Sequence, residues 1–130
     1  MTLRISLILL VLLPACRDDE SVRAYGAADK QWRLIELNDQ PFIAKATLTF
    51  PEEGRIAGSA PCNSYSGTMT VPYPWFEAGP IAATKRACPD LAEESAFFAA
   101  LDAVTLSEVL GDTMILSNTD GLSMVFKAGD

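Results

Sequence analysis

The sequence predicts a mainly β domain: a small antiparallel barrel or strongly curled sheet, with one helix between its strands. Three observations support this prediction. Short segments of alternating or β-branched apolar residues recur after residue 30, which is typical of half-buried strands. Turn-forming residues separate several of these segments, so neighbouring strands are expected to be antiparallel. One longer segment, at about residues 90–103, instead has the apolar spacing of a helix.

The first strands are predicted before residue 61. Residues 30–37 (KQWRLIEL) alternate at first and then change phase after Leu34, which indicates a β-bulge. Residues 46–50 (ATLTF) alternate cleanly, and PEEG provides turn residues before RIAGSA. These features predict a hairpin. Gly58, inside its second strand, would permit the close approach of another backbone or side chain.

The middle of the chain is less regular. Residues 67–71 (GTMTV) predict another strand, and the three prolines of residues 72–80 predict a turn with at most a short strand. Within that turn, Trp75 and Phe76 either belong to the core or form an exposed edge for a partner.

The helix is predicted to start at Asp90, where Glu93 completes a capping-box pattern. Its apolar residues share one face: Leu91, Phe97, Phe98, Leu101 and Val104. Three strands should follow (TLSEVL, TMILS and LSMVF), joined by hairpin turns at GD and NTDG. Because the edges of so many short strands need covering, the sheet should close or curl, with the helix across one open end or face.

Composition excludes several classes of function. The 130 residues suffice for one domain, and Lys+Arg 10 against Asp+Glu 17 gives a net charge of −7. Such an acidic chain lacks the basic surface that nucleic-acid binding needs. It has no histidine, hence no imidazole-based catalytic triad and none of the commonest metal ligand. We expect no enzyme activity, no cofactor and no metal, with Met69, Met114 and Met124 as core residues.

The N-terminus resembles an export signal. Residues 1–15 contain Arg4, then an apolar run that is too short to span a bilayer as a stable helix, then small residues. A buried N-terminal helix or strand is the alternative, but the run has no polar face. The ending LPAC resembles the lipobox of bacterial lipoproteins. In that family, cleavage precedes the cysteine, here Cys16, and acyl chains on it anchor the protein to a membrane.

The residues after Cys16 bear on localisation. Residue 17 is Arg rather than Asp, which resembles an outer-membrane lipoprotein if the host is Gram-negative. The domain would then be exported and face the periplasm. Residues 16–29 are polar and rich in small residues, which predicts a lipidated flexible tether. An ordered first strand near Tyr25 is the alternative.

The lipobox changes the number of cysteines that are available for disulfides from three to two. Lipidation of Cys16 leaves Cys62 and Cys88 as an even pair in an oxidising compartment, which favours a disulfide between them. A catalytic thiolate at Cys62 would have no histidine to activate it. A zinc site would need two further ligands, and only carboxylates are available.

Several motifs together resemble the META domain, also called the HslJ family. They are WRLIEL, GSAPCNSYSG, IAATKRACPD, ESAFFAAL and GDTMILSNTDGLSMVF, and the resemblance extends over residues 30–128. It implies a lipocalin-like small barrel with one helix, usually on exported bacterial proteins, some of them heat-inducible lipoproteins linked to novobiocin resistance. No catalytic activity or cofactor is established for this family. Pro61 and the pair Lys85–Arg86 depart from its common pattern.

The candidate surface patch consists of Asn63, Tyr65, Thr84 and Arg86, beside the predicted disulfide. Alternatively, Asn63 serves the backbone of a turn and Tyr65 packs its ring. Glu93 and Glu94 could act as an acid–base pair, but neighbouring helix residues point in different directions. The sequence thus predicts a membrane-anchored, non-catalytic envelope lipoprotein that binds an envelope protein or small ligand, or supports stress or antibiotic tolerance. The alternative function is a small-barrel inhibitor or a carrier of an apolar ligand.

Overall fold

The computed structural model describes residues 19–129, which form two antiparallel sheets and one α-helix. The helix, α1, spans Leu91–Ala103. The strands in chain order are β1 (Gln31–Leu37), β2 (Gln40–Pro41), β3 (Thr47–Leu48), β4 (Arg55–Ser59), β5 (Ser64–Thr68), β6 (Ala82–Ala83), β7 (Leu106–Leu110), β8 (Thr113–Ser117) and β9 (Ser123–Gly129). The predicted mainly β class with one helix between strands is confirmed. The predicted signal segment, residues 1–15, and residues 16–18 lie outside the described residues.

The larger sheet has the strand order β2-β1-β9-β8-β7, and β3 also pairs with β1. The smaller sheet has the order β4-β5-β6. An isolated antiparallel bridge between Thr49 and Ala57 connects β3 to β4, so the predicted hairpin around the PEEG turn forms. Among residues 19–129 the strands do not close into a barrel.

The predicted bulge lies in β1. The pairing of β1 with β9 shifts register between Leu34 and Glu36, where the apolar alternation changes phase. Trp32 and Leu34 are fully buried, whereas Ile35 and Leu37 are only partly buried. The bulge therefore lets β1 pair along its whole length while its first half points its apolar side chains into the core.

The three C-terminal strands form the predicted meander. Tight turns at Gly111 and Gly121, both with positive φ, connect β7 to β8 and β8 to β9. The alternating side chains of β8 and β9 are fully buried at Met114, Leu116, Met124 and Phe126. With buried Met69, the methionines singled out by the sequence belong to the core.

The strand predicted over residues 67–71 is shifted in the structure. It begins earlier, at Ser64, and ends at Thr68, so its inward residues are Tyr65 and Gly67. One of these inward residues is a large aromatic residue and the other is glycine. The strand therefore lacks the regular apolar alternation by which strands are predicted from sequence. Short β6 completes this sheet by pairing with β5.

The helix occupies the predicted range, but its N-terminal details differ. Asp90 makes no side-chain capping bond, so the capping box does not form. Phe97, Leu101 and Val104 are buried as predicted, whereas Leu91 is 45% exposed. The first turn instead buries Glu94.

Residues 19–29 differ from the predicted flexible tether. Val22–Tyr25 form a short 3-10 helix, and the side chains of Val22 and Ala27 are fully buried. The Arg23 side chain donates a hydrogen bond to the carbonyl of Phe50. Since apolar burial stabilises an otherwise polar segment, this part of the chain belongs to the domain.

Candidate functional site

The disulfide joins two short connecting segments on one side of the molecule. Cys62 follows β4, Cys88 precedes α1, and their Cα atoms are 5.5 Å apart. The structure thus contains the disulfide that cysteine parity predicts. It attaches the turn between β4 and β5 to the entry of the helix.

Asn63 is the centre of the hydrogen bonding beside the disulfide. Its side-chain Nδ2 donates to the Glu94 carboxylate at 2.8 Å and to the Arg86 carbonyl at 3.0 Å. Its Oδ1 accepts from the Arg86 backbone N–H at 2.6 Å and from the Thr84 hydroxyl at 2.9 Å. The amide therefore uses both its donors and both its acceptor positions. Asn63 holds residues 84–86 in place from below, and it is itself buried.

The carboxylate of Glu94 is buried, which the sequence did not lead us to expect. Besides Asn63, it accepts a hydrogen bond of 3.0 Å from the backbone N–H of Cys62. Glu93, its neighbour, is exposed, so the two carboxylates do not form an acid–base pair. One signal could have revealed Glu94: it precedes Phe97, Phe98 and Leu101 by three, four and seven residues, the spacing of the buried helix face.

Tyr65 is part of the core rather than of the surface patch. Its hydroxyl donates a hydrogen bond of 2.6 Å to the Thr47 carbonyl, and its ring makes edge contacts with Phe97 and Phe98. Burial raises the pKa of the Tyr65 hydroxyl well above that of a solvated phenol, because the charged form would lose its hydration. The prediction that Tyr65 lines a binding patch is therefore wrong, since its side chain packs against α1.

The other three patch residues come together at an open groove. The groove has a volume of about 340 Å³. Its lining residues are mainly polar or small: Lys45, Ser59, Ala60, Pro61, Cys62, Asn63, Ser64, Thr84 and Arg86. Asn63 forms part of its floor, and Thr84 and Arg86 are exposed beside it. We call this the disulfide groove.

Two cationic side chains, those of Lys45 and Arg86, line the disulfide groove. Lys45 and Arg86 are both exposed, and neither forms a salt bridge within residues 19–129. The disulfide fixes the backbone at Cys62 and Cys88, and the Asn63 hydrogen bonds fix the neighbouring segment at residues 84–86. The groove is thus a preorganised surface with two cationic side chains and several hydroxyl groups, on a protein whose net charge is −7. Such a surface can bind an anionic group through charge-assisted hydrogen bonds.

Other kinds of site have less support in the described part of the chain. Residues 19–129 contain no group of three or more His, Cys, Asp or Glu side chains able to hold a metal ion. No helix within the same residues has the length and hydropathy needed to cross a membrane. Large side chains fill the interior, with Trp32, Phe76, Phe97 and Phe126 all buried.

The comparisons with known proteins concern family and fold. A sequence model described as the META domain matches residues 26–130. No curated protein matches the sequence.

Solved structures share the fold at low sequence identity. An NMR structure of a protein from Burkholderia xenovorans is 21% identical, covers 96% of this chain and 99% of that chain, and has a TM-score of 0.68. A crystal structure of a DUF4847 family protein from Bacteroides vulgatus is 13% identical, covers 82% of this chain and 96% of that chain, and has a TM-score of 0.66. At these identities the likeness shows the fold alone.

Proposed function

The chain belongs to the META domain family, and from this premise we propose that it is a lipid-anchored, non-catalytic binding protein of the bacterial cell envelope. Family membership supports the coarse assignment to an envelope-type domain. The observation that carries the binding role is the disulfide groove, where Lys45 and Arg86 flank a floor fixed by a disulfide and by Asn63. Its occupant would be an anionic group of an envelope protein or of a small ligand.

The pairing of two of the three cysteines supports the lipid anchor. Cys62 and Cys88 pair with each other, which leaves Cys16 as the one thiol for acylation in the sequence LPAC. A disulfide is also what an exported, periplasm-facing domain would carry. Acyl chains on Cys16 would hold the domain on the membrane, the outer membrane in a Gram-negative host.

Metabolic labelling with palmitate tests the anchor. Cys16→Ser should abolish labelling and leave residues 1–15 uncleaved. The double variant Cys62→Ala/Cys88→Ala is the matched control and should keep its label, since it changes the other two cysteines without touching the lipobox. Unchanged labelling of Cys16→Ser would overturn the anchor.

Site-directed crosslinking in the envelope tests the disulfide groove. A photo-crosslinking amino acid in place of the exposed groove residue Ser64 should give a discrete adduct, whereas the same group at exposed Ala99 on α1 should not. Lys45→Gln/Arg86→Gln should weaken the adduct because it removes both cations. Lys127→Gln, which removes an exposed cation outside the groove, should not. Equal crosslinking from both positions would contradict the proposed binding surface.

The carrier alternative has weaker support. A carrier of an apolar ligand needs an enclosed apolar cavity, whereas large side chains occupy the interior of residues 19–129. A role in stress or antibiotic tolerance is compatible with the proposal, because this protein would stabilise the envelope protein that it binds. A deletion strain complemented with the parent or with Lys45→Gln/Arg86→Gln would test whether such a role depends on the disulfide groove.

A further inference from the structure

A second surface has no role in the proposed ligand binding. Tyr25 and Tyr73 stack with their ring centroids 4.6 Å apart and an interplanar angle of 11°. Tyr25 is 55% exposed, and Trp75, two residues after Tyr73, is 56% exposed. We call these three residues the aromatic patch. Tyr25 and Trp75 are thus more than half exposed, and Tyr73 is partly buried. Neighbouring exposed apolar side chains can mark an interaction surface.

The aromatic patch adjoins the start of the described chain. The backbone N–H of Tyr73 donates a hydrogen bond of 2.7 Å to the carbonyl of Glu20. Asp19 is only three residues from Cys16, and three extended residues reach roughly 11 Å at most. If Cys16 is acylated, covalent geometry keeps Asp19 and its surroundings close to the bilayer surface.

An apolar groove extends the aromatic patch. Its volume is about 480 Å³. Its lining includes the apolar side chains of Val71, Pro72, Trp75, Phe76 and Val104. Pro72, the residue before Tyr73, lines this groove and also a cleft that contains Asp19 and Glu20, so the groove adjoins the start of the described chain. This surface lies on the part of the domain that the anchor would bring to the membrane.

We infer that the aromatic patch rests in the headgroup region of the bilayer and fixes the orientation of the domain on the membrane. This inference rests on the proposed lipid anchor. Tyrosine and tryptophan are suited to that depth, because their rings are apolar while their O–H and N–H groups remain hydrated. The stacked pair and Trp75 would add an interfacial contact to the acyl chains.

Charge around the aromatic patch selects the kind of lipid. Glu77 and Asp102 line the apolar groove, and Glu20 is exposed near it. The Arg23 side chain, in the segment that carries Tyr25, already pairs with Asp19 at 3.7 Å. An anionic lipid surface would repel such a face, so the partner is a zwitterionic phospholipid surface.

Tryptophan quenching by brominated lipids tests the orientation. The full-length protein, purified from membranes with its acyl chains, is reconstituted into phosphatidylcholine vesicles brominated near the headgroup end of the chains. Trp75 should be quenched, and Trp75→Phe should remove the quenched part of the emission. The other tryptophan, Trp32, is fully buried with its indole N–H bonded to Ala27. It provides an unquenched reference and reports whether the variant is folded.

A reporter outside the aromatic patch provides the matched control. Ile43 is 84% exposed and lines neither the patch nor its groove. Ile43 shares a cleft with Asp90 and Glu93 at the start of α1, whereas Trp75 shares its groove with Asp102 and Val104 at the end of α1. In the Trp75→Phe background, Ile43→Trp should therefore escape quenching. Including anionic lipid should weaken the quenching of Trp75.

The outcomes separate the inference from the anchor. Acylated protein that floats with the vesicles but shows no quenching of Trp75 would overturn the inference and leave the anchor standing. Quenching of the Ile43→Trp reporter as strong as that of Trp75 would also overturn it. Protein without acyl chains would overturn both proposals.

Discussion

The side-chain amide of Asn63 donates a hydrogen bond of 2.8 Å to the buried carboxylate of Glu94. This contact links the turn after β4 to the first turns of α1, the same two regions that the disulfide joins. One connection is polar and one is covalent, and together they fix the floor of the disulfide groove. The first predictions concern these two connections.

Glu94→Ala should destabilise the domain. The backbone N–H of Cys62 would lose its acceptor and the Asn63 amide one of its two acceptors, at about 1–3 kcal/mol for each buried donor left unsatisfied. Removing the carboxylate also relieves the cost of burying it, but the donors that remain make the net effect unfavourable. Glu94→Gln should also destabilise: its carbonyl oxygen can still accept from Cys62, but its NH2 group would then face the Nδ2 donor of Asn63.

The control for Glu94 is its exposed neighbour. Glu93→Ala should change the free energy of unfolding by no more than about 0.5 kcal/mol. Denaturant unfolding of the three variants measures these differences. Equal effects at positions 93 and 94 would show that the buried hydrogen bonds contribute nothing.

The disulfide should contribute as a unit. Its cysteines are 26 positions apart, and the chain-entropy model gives about 3.5 kcal/mol for such a loop. Cys62→Ala and Cys88→Ala should each lose most of this stability, and the double variant should lose little more than either. Denaturant unfolding under oxidising conditions distinguishes this from additive losses, which would mean that the cysteines act independently. A thiol titration of the unfolded, unreduced domain should find neither cysteine free.

Gly58→Ala should be strongly destabilising. A Cβ atom at this position would overlap the Thr47 carbonyl oxygen and come within 2.9 Å of the Tyr65 hydroxyl. Because the first obstacle is backbone, relief requires the strands to move apart, and we expect a loss of about 3 kcal/mol, at the upper end of ordinary overpacking. Gly129→Ala is the control, since nothing lies within 4 Å of its Cβ position. Thermal unfolding of both variants decides the matter, and equal melting temperatures would contradict the close approach.

Tyr65 should make stability fall at alkaline pH. Burial raises the pKa of its hydroxyl, so the folded state keeps a proton that the unfolded state releases above about pH 10. The stabilisation is therefore fully present below that pH, and it decreases by about 1.4 kcal/mol per pH unit above it. Tyr65→Phe lacks this dependence.

The comparison with Phe variants isolates the Tyr65 contribution. At pH 7, Tyr65→Phe should be about 1 kcal/mol less stable than the parent, because the Thr47 carbonyl loses its hydrogen bond. The deficit should shrink and then reverse above pH 10. Tyr25→Phe, at an exposed position, should show no such reversal. A pH-independent difference between parent and Tyr65→Phe would contradict the role assigned to burial.

Much of the fold could be predicted from local patterns. The phase change after Leu34 indicates the bulge of β1, and the apolar spacing before Val104 indicates the helix. The strand from Ser64 to Thr68 lies earlier than predicted, because its inward residues include Gly67 and carry no apolar alternation. Residues 19–29 resemble a tether in sequence, because their buried apolar side chains, Val22 and Ala27, are few and small.

The candidate site was predicted only in part. Cysteine parity indicated which two thiols would pair, and the motif around Cys62 indicated the neighbourhood of the groove. The sequence could not show that Tyr65 would turn inward to Thr47 while Thr84 and Arg86 remain at the surface. The spacing of Glu94 places it on the buried face of the helix, but the sequence could not show that Cys62 and Asn63 would supply the donors that make its burial tolerable.

Local periodicity and the count of thiols were enough to predict the mainly β class, the position of the helix and the pairing of Cys62 with Cys88. The roles of Asn63, Glu94 and Lys45 became visible only in the folded protein. Asn63 and Glu94 bond to each other although they are 31 positions apart in the chain, and Lys45 reaches the groove from the segment before β3. The cost of burying a polar group depends on the donors and acceptors that folding brings to it, and no local pattern contains that information.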